Sequence, residues 1–556
     1  MHWLNEHSRK FLAKGYLQKD QSAEERIRFI ADRAEEILGM QGFADKFYGY
    51  MSKGYYSLST PIWTNFGVRK GLPISCFGSY IGDNMAQILY TQAEVGMMSK
   101  FGGGTSGYFG ALRPRGANIT DNGVSSGSVH FMRLFESMVN VVSQGSTRRG
   151  HFAPYLPIEH PDSEEFLDIG TEGNPIQELT HAVTVTDEWM EQMIAGDSKK
   201  RTLWAKVIQR RSQMGYPYIF FTDTVNKNTV DVYKDKGMTI HASNLCSEVL
   251  LPSSEEWSFV CDLSSMNLLW YDEWKNTDAV ETLVYFLDAV MTDFIQKLET
   301  LRDSDKKEDT LAFVFMERSY NFAVANRALG IGVLGWHSLL QSKMLSFESA
   351  ETARLNKEIF GFIKEMAYIA STQLAEAFGE PTTLKGYGRR NTTLCAVAPT
   401  TSSAFILGQV SQSIEPIWSN CYVKDIDKIK VTIKNPFLEN LLEAKSKNDK
   451  ETWHSIRDND GSVQHLTFLS PDEKAVFKTF AEIDQYAVID QAATRQPFID
   501  QGQSLNLMIN PKTPTKDVNA LYIEAWRKGI KTLYYQHSMN AAQTLNRKKL
   551  CISCEA

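Results

Sequence analysis

Near the N-terminus apolar residues recur at helical spacing: Ile27, Ile30, Ala34, Ile37 and Leu38 share one stripe. Ser22-Ala23-Glu24-Glu25 stands at its head, with a serine and, three positions on, a glutamate in the pattern of a capping box. Gly39 supplies the stop. Residues 1–57 therefore read as an N-terminal helical region. Beyond it, strand-like and helix-like stretches alternate. Residues 182–186 read as a strand with Val183 and Val185 on one face. Asp187 is expected to cap a helix through Trp189, Met193 and Ile194 that ends at Gly196. Residues 218–221 and 394–398 read as buried strands, and two long helices are expected between them, at 278–299 and 348–378.

This alternation predicts an α/β fold with parallel strands. Residues 428–474 are more polar and read as surface insertions. No internal repeat or linker interrupts the chain. Residues 58–536 are expected to form one body, and 537–556 a flexible tail.

Composition narrows the class. The chain has 556 residues, 43% hydrophobic and 22% charged, with a net charge of −7, so it can bury a large core and has no global attraction for nucleic acid or an anionic membrane. There is no signal peptide pattern at Met1–His7 and no apolar run of membrane-spanning length, which reads as cytoplasmic. In that compartment the seven cysteines are expected to be free or redox-cycling.

Two of them close the chain, in Cys551-Ile552-Ser553-Cys554. A dithiol at a chain end suits thiol–disulfide exchange, because one thiolate attacks and the other resolves. Asn244-Leu245-Cys246-Ser247-Glu248 has a different character. In extended backbone positions i−2, i and i+2 face one way, which would give one substrate an amide, a sulfur and an acid. The alternative is a cysteine that is merely a small buried hydrophobe. Cys76 and Cys261, set among small and apolar residues, are either core cysteines or a reducing pair beside Cys246; spacing alone leaves both open. Cys395 and Cys421 are assigned to packing.

The meaning of other motifs depends on the segments around them. The glycines at 102–107 match GxGxxG, but the stretch before them looks helical where a dinucleotide fold needs a strand. Pro399-Thr400-Thr401-Ser402-Ser403 follows a strand-like segment and reads either as a phosphate cradle or as an ordinary helix cap. The loop Ser143–Gly150, with Gln144 and Arg148, suits an anion-sensing loop or a solvated turn. Tyr534-Tyr535, in a short strand, reads as one buried and one exposed ring. Two ExxH matches, Glu178–His181 and Glu451–His454, lack a helical bundle around them, so no metal site is expected.

Taken in order, these pieces resemble the large catalytic (alpha) subunit of class I ribonucleotide reductases over nearly the whole chain. The resemblance implies a ten-stranded α/β barrel of two five-stranded parallel halves, with Cys246 on a loop through its centre. It implies that Cys246 becomes a thiyl radical acting on the ribose of a nucleoside diphosphate, with Glu248 as base and Asn244 holding the substrate. Cys76 and Cys261 would supply two electrons. Cys551 and Cys554 would restore them, served by thioredoxin or glutaredoxin. Tyr534 and Tyr535 would carry the radical from a metal-containing beta subunit, the alpha chain itself holding no cofactor. Thr60, Ser75, Gly103 and Pro399–Ser403 would hold the substrate. Asp83, Arg113 and Arg115 would bind nucleoside triphosphate effectors with Mg at a homodimer interface, and Ser143, Gln144 and Arg148 would relay effector identity. The region before Leu58 is shorter than the ATP-binding cone of ~100 residues that many such subunits carry, so no activity-regulating dATP site is expected. The alternatives are an adenosylcobalamin-dependent reductase, a non-catalytic nucleotide-binding regulator and a protein thiol oxidoreductase. The tyrosine pair disfavours the first, and Asn244-x-Cys246-x-Glu248 the other two.

Overall fold

The computed structural model describes residues 1–69, 71–144, 148–426 and 429–538, with the side chains at 143–149 and 423–431 outside that description. The expectations for Cys551 and Cys554 and for the side chains of Ser143, Gln144 and Arg148 therefore lie outside the described residues.

The N-terminal helices are Glu6–Ala13, Ala23–Leu38, Phe43–Lys53 and Thr60–Asn65. The expected capping box is present: the Ser22 hydroxyl accepts from the Glu25 amide, and the Glu25 carboxylate accepts from the Ser22 amide. Gly39 ends that helix in the left-handed region, at φ 62°. Arg26 is fully buried and donates to the carbonyls of Ile62, Trp63 and Phe66 at 2.7–3.1 Å. It thereby satisfies the C-terminal carbonyls of helix Thr60–Asn65 and ties that helix to Ala23–Leu38.

Nine strands form the main sheet: β1 (Tyr56–Leu58), β2 (Cys76–Tyr80), β3 (Gly104–Tyr108), β4 (His151–Pro157), β5 (Ala182–Val185), β6 (Tyr218–Phe221), β7 (Phe259–Asn267), β8 (Leu329–Leu334) and β9 (Thr532–Leu533). Strands β2 to β6 run parallel in sequence order. Strand β7 is antiparallel to β2 and parallel to β8. Residue Ile331 of β8 then bridges Cys395 in parallel, and Val397 bridges Gln503 in parallel. The Tyr534 amide donates to the Leu505 carbonyl at 2.9 Å, and β9 closes antiparallel on β6.

The ring is thus two parallel five-membered halves joined by antiparallel seams: β2–β6, then β7, β8, the segments around 395–397 and 503–505, and β9. This is the expected ten-membered barrel. Gly330 and Gly332 of β8 sit where a Cβ would lie 2.9 Å from Ala396 Cβ and 2.7 Å from the Ala396 carbonyl, so close approach of the next segment requires glycine.

Some local expectations shift. Thr186, not Asp187, caps helix Asp187–Ala195, its hydroxyl accepting from the Trp189 amide at 3.2 Å; Asp187 sits in the first turn, where its charge suits the helix dipole. The long helices are Ala279–Arg302 and Ala350–Phe378. Residues 394–398 make isolated bridges rather than a continuous strand. The polar region beyond Cys421 builds a second small core around Leu438, Leu442, Trp453 and Ile456. The glycines at 102–104 lie between helix Met85–Lys100 and strand β3, the reverse of a dinucleotide-binding turn. No helix among the described residues is long and apolar enough to cross a membrane.

Candidate active site

The segment carrying Cys246 runs inside the barrel and is held from both walls. On one side Tyr155 of β4 donates to the Asn244 carbonyl at 2.8 Å, and Ser106 of β3 donates to the Ser243 carbonyl at 2.7 Å. On the other, Ser504 donates to the Cys246 carbonyl at 2.6 Å, and Thr532 of β9 to the Ser247 carbonyl at 2.9 Å. The backbone is not extended through the motif. Ser247 has φ 68°, so the loop turns tightly at Cys246, and the three side chains converge through that turn rather than through strand alternation.

Cys76 and Cys261 face each other as register partners across the antiparallel β2–β7 seam. Side chains so placed are close enough for a disulfide. No disulfide joins them in this structure. Cys261 is fully buried, and burial pushes its thiol well up from the ordinary value. Cys76 is half-buried and receives the Asn244 amide Nδ2–H at 3.7 Å. The other Asn244 amide atom, Oδ1, accepts from the Val249 amide at 3.1 Å, which fixes the amide's orientation.

Glu248 is buried beside them, 1% exposed, and burial raises its carboxyl to about 7 against opposing hydrogen bonds that include Asn244 and Ser504. Ser504 donates to Glu248 Oε2 at 3.1 Å. A carboxyl poised near neutrality can take or give a proton under physiological conditions.

One pocket is lined by Cys76, Cys246, Glu248 and Cys261 together with Thr60, Ser75 and Pro399–Ser403. Thr401 opens the short helix Thr401–Ile406, which no side chain caps, and the Thr400 hydroxyl instead accepts from the Ser413 amide at 2.8 Å. The Ser402 hydroxyl is buried without a partner. Gly103 is not among the residues that line this pocket; a Cβ there would lie 2.7 Å from the Phe77 ring.

Tyr534 and Tyr535 pack together with ring centroids 4.4 Å apart and planes tilted by 58°, and Tyr218 packs on both at 4.7 and 5.1 Å. Both are buried, at 1% and 6% exposure, where alternation suggested one exposed ring. Tyr218 covers both rings and His537 packs on Tyr535 at 5.7 Å; the two tyrosines also line a cavity of about 490 Å³ with Trp418, Tyr422 and His537. Tyr534 follows directly on β9, two residues after Thr532, whose hydroxyl holds the Cys246 loop.

Two family models cover almost the whole chain: ribonucleotide reductase, all-alpha domain, over residues 2–71, and ribonucleotide reductase, barrel domain, over 74–200, 192–385 and 381–536. The chain belongs to the ribonucleotide reductase large-subunit family. It is 32% identical to the ribonucleoside-diphosphate reductase large subunit of Invertebrate iridescent virus 3, over 95% of this chain and 92% of that one. It is 36% identical to a Frog virus 3 protein provisionally named a ribonucleoside-diphosphate reductase large subunit, over 89% and 88%. Among solved structures, the Actinobacillus ureae class Id ribonucleotide reductase alpha subunit matches with a TM-score of 0.91 and 55% identity over 98% of both chains. That likeness is to a class I reductase alpha subunit rather than to a cobalamin-dependent enzyme.

The remaining expected residues of a reductase lie elsewhere. Asp83 and Arg113 form an ion pair at 2.8 Å beyond the C-terminal ends of β2 and β3. Arg115 is engaged with Glu165 at 2.7 Å instead. Cys76 begins β2 and Asp83 follows its end, so the pair lies at least about 13 Å along the strand from the cysteines. Cys395 and Cys421 are buried. No group of three or more His, Cys, Asp or Glu stands together as a metal site among the described residues. Reading the sequence missed Ser106, Tyr155, Ser504 and Thr532, which hold the loop. Each acts on a backbone carbonyl distant in sequence, and nothing local marks it.

Proposed function

We propose that this chain reduces ribonucleoside diphosphates to 2′-deoxyribonucleoside diphosphates with Cys246 as the radical-bearing residue. The observation that carries this reading is the convergence of Cys76, Cys246, Glu248 and Cys261 in one pocket inside the barrel, beside Thr60, Ser75 and Pro399–Ser403. A sulfur radical must be shielded from water, and an interior loop provides that. The Cys246 sulfur takes the hydrogen atom from C3′, and Glu248 takes the 3′-hydroxyl proton. The 2′-hydroxyl leaves as water. Cys76 and Cys261 give up two electrons and two protons and end as a disulfide, and Cys246 returns its hydrogen to C3′. The uncapped start of helix Thr401–Ile406 supports diphosphate binding by backbone N–H groups and hydroxyls.

Glu248 must be ionised to act as a base. Its carboxyl titrates at about 7, so turnover is expected to fall about tenfold per pH unit below that value. Glu248→Gln should remove this limb together with most of the activity. Single-turnover yield against pH, without added reductant, checks both; an unchanged acid limb in the variant would remove Glu248 from the base role.

The same reading assigns partners. A radical-generating beta subunit would deliver its oxidising equivalent through Tyr535 and Tyr534, and the open cavity beside them supports access from that side. Nucleoside triphosphates with Mg would bind at Asp83, Arg113 and Arg115. Met85, Leu89 and Val141 stay exposed on the adjoining helices Met85–Lys100 and Ser128–Val141, which supports a homodimer there. Ser143, Gln144 and Arg148 would relay the effector. Thioredoxin or glutaredoxin would act through Cys551 and Cys554.

Reduction of a labelled nucleoside diphosphate with the cognate beta subunit tests the proposal. Turnover is expected with dithiothreitol, and none with adenosylcobalamin in place of the beta subunit. Cys551→Ser with Cys554→Ser should keep dithiothreitol-driven turnover and lose thioredoxin-driven turnover. Equal loss of both would end the shuttle role.

A further inference from the structure

Gln501 is fully buried and touches both the Cys246 loop and Cys261. Its Oε1 accepts from the Leu250 amide at 2.9 Å. That bond fixes which way the side-chain amide faces, because a backbone N–H can meet only the oxygen. Nε2 is thereby directed to the other side, where its two hydrogens face three acceptors: Cys261 Sγ at 3.4 Å, Thr393 Oγ1 at 2.9 Å and the Leu329 carbonyl at 3.0 Å. The Gln501 backbone is fixed as well: its amide donates to the Cys395 carbonyl at 3.1 Å, and its carbonyl accepts from Lys531 Nζ at 2.9 Å and Gln496 Nε2 at 3.0 Å. Burial raises the Cys261 thiol, and the Gln501 amide opposes that effect.

We propose that Gln501 is a positioning residue for re-reduction of the Cys76–Cys261 disulfide: its amide N–H stabilises the Cys261 sulfur as it leaves as a thiolate. This rests on the reading of Cys76 and Cys261 as the reducing pair. Both cysteines line the pocket, but Cys76 is half-buried and Cys261 fully buried, so an incoming thiolate attacks the more accessible Cys76. A bond forms between the reductant sulfur and Cys76 Sγ, the Cys76–Cys261 bond breaks, and its electron pair goes to Cys261. Cys261 then takes a proton from the reductant's second thiol. That second sulfur attacks the mixed disulfide and frees Cys76, leaving the reductant as a disulfide. Exchange is faster when the leaving thiolate is better stabilised, and a hydrogen bond to a charged group is stronger than one to a neutral group. The reverse half of the cycle, oxidation of the pair by substrate, starts from neutral thiols and makes less use of this donor.

The full chain with its beta subunit is turned over once on substrate without reductant. Dithiothreitol is then added, and the surviving Cys76–Cys261 disulfide is followed by quenching, alkylation and peptide mass spectrometry. Gln501→Met keeps the length of the side chain and lacks the donor. It is expected to form the disulfide in the unaltered yield and to lose it about tenfold more slowly. Gln501→Leu carries the same expectation and serves if the methionine variant does not fold. Reduction at the unaltered rate in either folded variant overturns the inference, and so does an equal slowing of disulfide formation, which a general packing defect would produce. Absence of any Cys76–Cys261 disulfide in the unaltered protein would instead overturn the reading beneath it.

Discussion

Cys246→Ala is expected to give a folded, substrate-binding protein that makes no deoxynucleotide. The loop does not depend on the sulfur for its place. Its backbone is held by Tyr155 on Asn244, Ser504 on Cys246 and Thr532 on Ser247. Removing one sulfur from a half-buried position costs little packing. The loss is therefore chemical, since alanine has no hydrogen that can be removed to leave a stable radical. Product formation should fall to background in single and multiple turnover alike. Thermal unfolding should stay within a few degrees of the unaltered protein, because a change of about 1 kcal/mol moves the midpoint of a large domain by only ~2–4 °C. The variant should also leave Cys76 and Cys261 reduced after exposure to the beta subunit and substrate.

Tyr534→Phe should abolish turnover for a different reason. The substitution removes one hydroxyl from a ring at 1% exposure, with its ring contacts to Tyr535 and Tyr218 retained. Phenylalanine cannot be oxidised reversibly at accessible potentials, so the oxidising equivalent stops at Tyr535. Activity with the beta subunit should fall to background, and substrate binding measured at equilibrium should be unchanged. Appreciable activity would mean that the radical reaches Cys246 without this phenol.

The parts of the site that were legible in the sequence are those where chemistry needs particular atoms. Asn244, Cys246 and Glu248 stand in a short motif, Tyr534 and Tyr535 are adjacent, and the order of the cysteines is distinctive. The barrel's hydrophobic strands at 182–186 and 218–221 were legible because nearly every position is buried, and the long helix Ala350–Phe378 because its buried residues recur at helical spacing. Other features depend on tertiary placement. The meeting of Cys76 with Cys261 is set by the register of two strands far apart in sequence. The turn at Ser247 defeats an alternation argument, since a single residue at positive φ reorients its neighbours. Both tyrosines are buried because Tyr218, far away in sequence, packs on each of them. Residues 394–398 look like a full strand by composition, yet they pair at isolated positions.

The central claim is that Cys76 and Cys261 supply the electrons for a reaction begun at Cys246. The most direct measurement is peptide mapping of cysteine oxidation after the chain, its beta subunit and a labelled nucleoside diphosphate react without any reductant. A Cys76–Cys261 disulfide accumulating in step with deoxynucleotide, and absent in Cys246→Ala, is the predicted result. Deoxynucleotide formed while both thiols stay reduced would contradict it.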